Sequence, residues 1–189
     1  MIDLTEFKLL HIHRREISSF SMDELNIYKG KLSDEAIDFL SQEGKATYSN
    51  DFFRTTLPNT YHDLLNEWGL DGPNCYVFMK TCFGSLIYYY ESKYYSLNPY
   101  DGSLTKFGKK IDLLLNGYFI APIILDVTLW FKLHQKNINV LPALKEDEIY
   151  ALDPTIPEGG SPETSKIVVV KLKEHLQKLA DLFDHTTTE

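Results

Sequence analysis

CYVFMKTCFGSLIYYYESKYYSLNPYDGSLTKF, residues 75–107, decides the fold. Seven of the chain's 12 tyrosines lie in it: Tyr76, Tyr88, Tyr89, Tyr90, Tyr94, Tyr95 and Tyr100. Aromatic and β-branched residues suit a pleated, half-buried surface. Gly84, the Glu91-Ser92 pair and the cluster Asn98-Pro99-Tyr100-Asp101-Gly102 cut the run into pieces of strand length. The reading is four successive antiparallel strands at Tyr76–Lys80, Ser85–Tyr90, Lys93–Leu97 and Leu104–Phe107. Within the third, Lys93, Tyr95 and Leu97 share one face, and Tyr94 and Ser96 the other. This meander is the sheet on which the helices are expected to pack, and it carries no recognisable reaction chemistry.

Working outward, helical spacing appears on both sides of the sheet. Leu32, Ala36, Phe39 and Leu40 predict a helix capped by Ser33, with Asp34 and Glu35 at its positive end and Gly44 as its stop. A second helix follows Pro58, with Tyr61, Leu64, Leu65 and Trp68 as its stripe and Gly69 after it. Between these helices, Tyr48, Phe52 and Phe53 belong to a loop or a short strand. After the sheet, Ile111, Leu114, Leu115, Tyr118 and Phe119 form a third apolar face, which Pro122 interrupts. Leu125, Leu129 and Leu133, four apart, predict a fourth helix over residues 123–135.

The remainder reads as a strand at Glu148–Leu152, an irregular loop with the Gly159-Gly160 pair, and a last strand at Ile167–Val170. A closing helix carries Leu172, Leu176, Leu179, Ala180 and Phe183. Residues 1–27 are an N-terminal arm or first element, read as a strand, a short helix or an extended segment. Residues 28–185 form the domain proper, and residues 186–189 a tail expected to fray. The fold class is therefore α+β: one domain, an antiparallel meander flanked by about five helices.

The 189 residues are 43% hydrophobic, enough for a substantial core. A net charge of −8 argues against nucleic acid, which needs a basic footprint, and suits either a basic protein partner or solubility alone. No apolar run approaches the ~20 residues of a membrane span, and no secretory signal pattern opens the chain, so the expected location is the cytoplasm. Cys75 and Cys82 read as buried free thiols, although the turn between them leaves a disulfide open.

The search for reaction chemistry assigns no catalytic, cofactor or metal residue. His11 and His13 would share a face on a strand, yet two ligands do not make a metal site. Ser161 follows two glycines but lacks the strand–turn–helix context of a nucleophile elbow. Glu146, Asp147 and Glu148 lack the ligand spacing of a calcium loop. His62 and His134 would need to meet to act as an acid–base pair, and nothing in the sequence brings them together.

One order of motifs is recognisable. Phe83-Gly84-Ser85-Leu86 leads to the tyrosine-rich hairpin and Leu97-Asn98-Pro99-Tyr100-Asp101-Gly102. Then come Asp147-Glu148-Ile149-Tyr150-Ala151-Leu152-Asp153-Pro154, Glu158-Gly159-Gly160-Ser161 and an amphipathic helix. Together with Phe52-Phe53, Leu57-Pro58, Tyr61 and Glu67-Trp68, this resembles the GAD-like family, bacterial proteins that include type VI secretion immunity proteins of the Tdi type. The likeness spans about residues 28–183, whereas the first twenty residues match nothing in it.

The resemblance implies a stoichiometric inhibitor of a cognate toxin, with no cofactor and no turnover. An acidic surface and abundant tyrosine suit such a role, since tyrosine offers amphipathic contact area. The partner-contact residues expected on this reading are Glu146, Asp147, Glu148, Tyr150, Asp153, Glu158 and Glu163, with Tyr94 and Tyr100. The alternatives are a regulatory interaction module of the broader SMI type, or a small hydrolase using a carboxylate and a histidine.

Overall fold

Both faces of the aromatic strands are buried, so the sheet needs a layer on each side. Phe78, Ile87 and Tyr94 enter one apolar cluster, and Val77, Leu86, Tyr88 and Leu97 the other. The period-two alternation expected for Lys93–Leu97 holds, since Tyr94 faces the larger core and Tyr95 and Leu97 the smaller.

The structure, a computed structural model, describes residues 2–12 and 14–186. His13 and residues 187–189 lie outside the described residues, and with them the pairing of His11 with His13 and most of the expected tail. The chain opens with α1 (Thr5–Leu10), β1 (Arg15–Ser18) and α2 (Met22–Asn26). Next come α3 (Asp34–Glu43), β2 (Lys45–Tyr48), β3 (Phe53–Thr55) and α4 (His62–Glu67). The aromatic stretch supplies β4 (Tyr76–Thr81), β5 (Leu86–Tyr90), β6 (Lys93–Leu97) and β7 (Leu104–Gly108). Then follow α5 (Ile111–Asn116), α6 (Phe131–Asn137), β8 (Glu148–Asp153), β9 (Lys166–Lys171) and α7 (Leu172–Thr186).

Strands β1 to β7 form one antiparallel sheet in sequence order, and β8 and β9 form a separate two-stranded ribbon. The α+β meander expected from the sequence is the observed fold, extended by three strands before the aromatic stretch. Helices α1, α2, α3, α5 and α6 contribute to the larger core, whereas α4, α7 and Ile149 of β8 close the smaller.

Local chemistry accounts for the elements. The Ser33 hydroxyl accepts the Ala36 amide at the start of α3, and Gly44 ends that helix with φ +63°. The segment between α3 and α4 resolves into the β2–β3 hairpin, turned by Ser49, Asn50 and Asp51, all at positive φ. Among residues with a side chain, Asn and Asp tolerate such φ values well. The first residues pack into the core instead of hanging free. Phe7 and His11 are buried, and the Glu43 carboxylate accepts from Lys8 Nζ (2.6 Å), Arg14 Nε (2.8 Å) and the Tyr48 hydroxyl.

The expected fourth helix is not continuous. Residues Ile124–Thr128 form a π-helical turn, Trp130 takes a left-handed φ of +63°, and α6 starts only at Phe131. The break lets the indole pack on Tyr100 and Phe83, at centroid distances of 4.3 and 5.6 Å. A π turn inside a helical run commonly marks such a local demand.

The β8–β9 ribbon is locked to the sheet's end turn. The Tyr150 amide donates to the Cys82 carbonyl at 2.7 Å, and the Tyr100 hydroxyl donates to the Tyr150 carbonyl at 3.2 Å. Gly84 makes that approach possible. Its φ is +88°, and a β-carbon there would sit 2.9 Å from Ile149 Cδ1 and 3.0 Å from Leu176 Cδ1. Gly84→Ala is therefore expected to lower stability by about 2 kcal/mol, from left-handed strain plus overpacking. Urea unfolding would measure it; a loss below a few tenths of a kcal/mol would mean the ribbon and α7 can back away freely.

Candidate functional site

A cleft of about 720 Å³ opens where the acidic loop before β8 and the start of α7 overhang strands β3 and β4. Arg54 and Lys80 lie in its floor, and Leu57, Tyr61 and Leu172 supply apolar wall. Lys45, Lys145, Lys171 and Lys173 stand around it, against the carboxylates of Glu146, Asp147 and Glu174. On a chain of net charge −8, the cations lining this depression outnumber its carboxylates.

The floor is built by strand register. Arg54 of β3 lies opposite Lys80 of β4, so both side chains leave the same face of the sheet. Both residues are buried. Each is held by backbone carbonyls of one loop: Arg54 Nη1 donates to Lys145 O at 2.8 Å, and Lys80 Nζ to Glu146 O at 2.8 Å. Asp51 approaches Arg54 Nη2 at 3.7 Å. Among the described residues Lys80 makes no ion pair. Burial, followed by the neighbouring Arg54 charge, brings the Lys80 amine down to about 7. Burial also pushes the Tyr61 hydroxyl above its ordinary range.

The residues expected to meet a partner divide sharply. Tyr94, Tyr100 and Tyr150 are core residues, at 0%, 2% and 4% exposure, which corrects their assignment to a contact surface. Their hydroxyls are used internally: Tyr94 with Ser33 Oγ, Tyr100 with the Tyr150 carbonyl, and Tyr150 with the Pro142 carbonyl. A buried tyrosine hydroxyl usually finds such a partner.

The carboxylates are on the surface or at its edge, but several do structural work. Asp147 bonds Lys171 Nζ at 2.6 Å, which lowers its pKa. Glu148 accepts the Lys145 amide at 2.9 Å, which lowers its pKa in turn. Glu146 approaches Lys45 at 3.9 Å, whereas Asp147 and Glu148 share Lys171, at 2.6 and 3.6 Å. Glu158 is held down to about 2 by Lys178 and by the Thr155 hydroxyl and amide, with which it forms a capping box. Asp153 and Glu163 are exposed, and among the described residues their carboxylates bond nothing.

The other sequence candidates are accounted for locally. Ser161 Oγ accepts the amides of Glu163 and Thr164, at 3.3 Å each, and so closes a turn. Cys75 and Cys82 are buried free thiols. His62 packs on Tyr76, whereas His134 packs on Phe52 and lines a shallower second cleft with Asp51 and Tyr150. The two histidines thus belong to different surroundings, and burial lowers both pKa values. His11 Nε2 lies 2.7 Å from the Phe119 carbonyl, so it must carry the proton, and Nδ1 accepts from Ser49 at 2.9 Å. Burial holds this neutral imidazole at about 4.

The residues that sequence reading passed over are Arg54 and Lys80. Each is a single cation in an apolar strand, FFRTT and YVFMKT, and that misfit was the available signal. Among the described residues, no group of three or more His, Cys, Asp or Glu side chains is placed to hold a metal ion. No helix among them is long and apolar enough to cross a membrane.

No family model matches the chain, and no curated protein matches it. Among solved structures, Atu4351 from Agrobacterium tumefaciens shares the fold, with a TM-score of 0.72 at 14% sequence identity. The likeness covers 94% of this chain and 88% of that one. At that identity it is a likeness of fold.

Lys80 makes the site's electrostatics measurable. Its amine ionises near 10.5 when unfolded and near 7 in the fold. Between those values the unfolded chain holds the extra proton, so this residue makes stability rise with pH across the window. Lys80→Met should remove the rise and stabilise the protein by about 2–4 kcal/mol at pH 6 to 7, with the gap closing towards pH 10. Urea unfolding of both proteins from pH 6 to 9 reads it. A gap independent of pH would mean that Lys80 titrates like a surface lysine.

Proposed function

We propose that the chain is an immunity protein, which binds a cognate secreted bacterial toxin in the cytoplasm and neutralises it by stoichiometric inhibition. The toxin on this reading is a type VI secretion effector. The observation that carries the proposal is the form of the segment bearing the family-like motifs. Residues 147–161 run through the buried strand β8 into a partly exposed loop that bears Asp153 and Glu158. Strand β8 is pinned to the sheet through Tyr150, and the loop is stapled by the Thr155–Glu158 capping box. Gly160 lets this loop close on itself, since a β-carbon there would lie 1.9 Å from Pro154 O.

An inhibitor gains affinity when its contact loop is ordered before binding, because less entropy is lost on association. The carboxylates of Asp153 and Glu163, together with Glu146 at the cleft rim, are then available to a basic partner surface. Asp147, Glu148 and Glu158 act at one remove, by holding the segment in shape. The buried tyrosines contribute stability and no contact.

The test is co-expression with the product of the neighbouring gene, expected to be a toxin. The two chains should co-elute in equal amounts, and growth should be rescued. Reversing Glu146, Asp153 and Glu163 to lysine together should weaken binding about tenfold or more, chiefly by slowing association, without altering the circular dichroism spectrum. Unchanged affinity would move the interface away from this segment. A pair that neither co-elutes nor protects would sink the reading.

A further inference from the structure

The cleft over Arg54 and Lys80 has a feature that an inhibitory surface does not call for. Two buried cations stand side by side, and what the fold offers Lys80 is a neutral carbonyl. Like charges directly opposite on neighbouring strands repel. A carbonyl dipole offsets part of that cost but leaves the net charge in place. An ammonium group has three donors, and the described contacts of Lys80 use one of them, towards Glu146 O. Glu146 itself turns towards Lys45, and Asp147 is occupied by Lys171.

We propose that this cleft binds a small organic anion, with a carboxylate or phosphate group seated against Lys80 and Arg54 and its apolar body against Leu57, Tyr61 and Leu172. The volume of about 720 Å³ falls in the range of small-molecule sites, and the mixture of apolar wall with a few convergent charges is their usual composition. Lys173 at the rim adds to the same field, which a cleft with low-dielectric walls focuses, whereas Lys171 is paired with Asp147 and Glu148. The lowered pKa of Lys80 fits a charge awaiting a counter-ion, since a bound anion would favour the protonated amine. The ligand is small, because the net charge of −8 repels an extended polyanion.

The site needs no protein partner, so its test is independent of the proposed inhibitory role. The isolated chain, labelled with nitrogen-15, is titrated with inorganic phosphate and, separately, with acetate, the ionic strength being held constant with chloride. Saturable shifts confined to the amides of residues 54, 80 and 145–147 are expected, with a rise of a few degrees in Tm near saturation. A preference for phosphate assigns a phosphate ester, and a preference for acetate assigns a carboxylate. Lys80→Met should weaken the binding at least tenfold while leaving the fold intact. Absent shifts, shifts spread over surface lysines, or a response unchanged in Lys80→Met would overturn the proposal, leaving the two cations as a clamp on the loop. Should the variant not fold, the residue-resolved titration of the natural chain decides by itself.

Discussion

The constraint on which the rest depends is that strands β4 to β6 are apolar on both faces. An antiparallel sheet commonly turns one face to water, but here Phe78 and Tyr94 on one side and Val77, Leu86 and Leu97 on the other must all be covered. The chain before and after the aromatic stretch is spent on those two layers. Helices α3 and α5 with the N-terminal segment close one side. Helices α4 and α7 with Ile149 of β8 close the other, while Tyr150 and Leu152 of β8 pack into the first. Gly84, at the end of the sheet, lets this second layer descend onto it.

The same arrangement creates the cleft. Near Arg54 and Lys80 the second layer consists of the loop before β8 and the first turn of α7, which do not fill the space above the strands. Two cations on the buried face of a sheet would ordinarily be costly. They are kept by binding the loop's carbonyls, which explains how an irregular segment is held beside a regular one. Whatever displaces the carbonyls or neutralises the cations therefore alters how firmly the loop is held.

The N-terminal segment shows a different use of charge. Glu43 is buried at the end of α3 and collects Lys8, Arg14 and Tyr48, so that one carboxylate ties α1, β1 and β2 to one helix end. Burial pushes its pKa up, but hydrogen bonds from Lys8, Tyr48 and Arg14 outweigh it and leave the pKa lowered. Such an ion group gives modest net stability but strong positional definition. Nothing in the local sequence around Glu43 announces it, because its partners come from segments far apart along the chain.

What the sequence determined by itself was whatever depends on near neighbours. The period-two alternation fixed which tyrosines share a face, Ser33 and Gly44 bounded α3, and the stripe from Leu172 predicted α7, because each rests on residues within a turn or a strand. The site was much less legible. That Tyr94, Tyr100 and Tyr150 are core, that Trp130 breaks a helix whose leucines are correctly spaced, and that Arg54 meets Lys80 beneath a cleft were decided by tertiary structure alone. The reason is physical: burial and like-charge proximity are properties of long-range packing, and a side chain's surroundings are set by segments that its own neighbourhood does not encode.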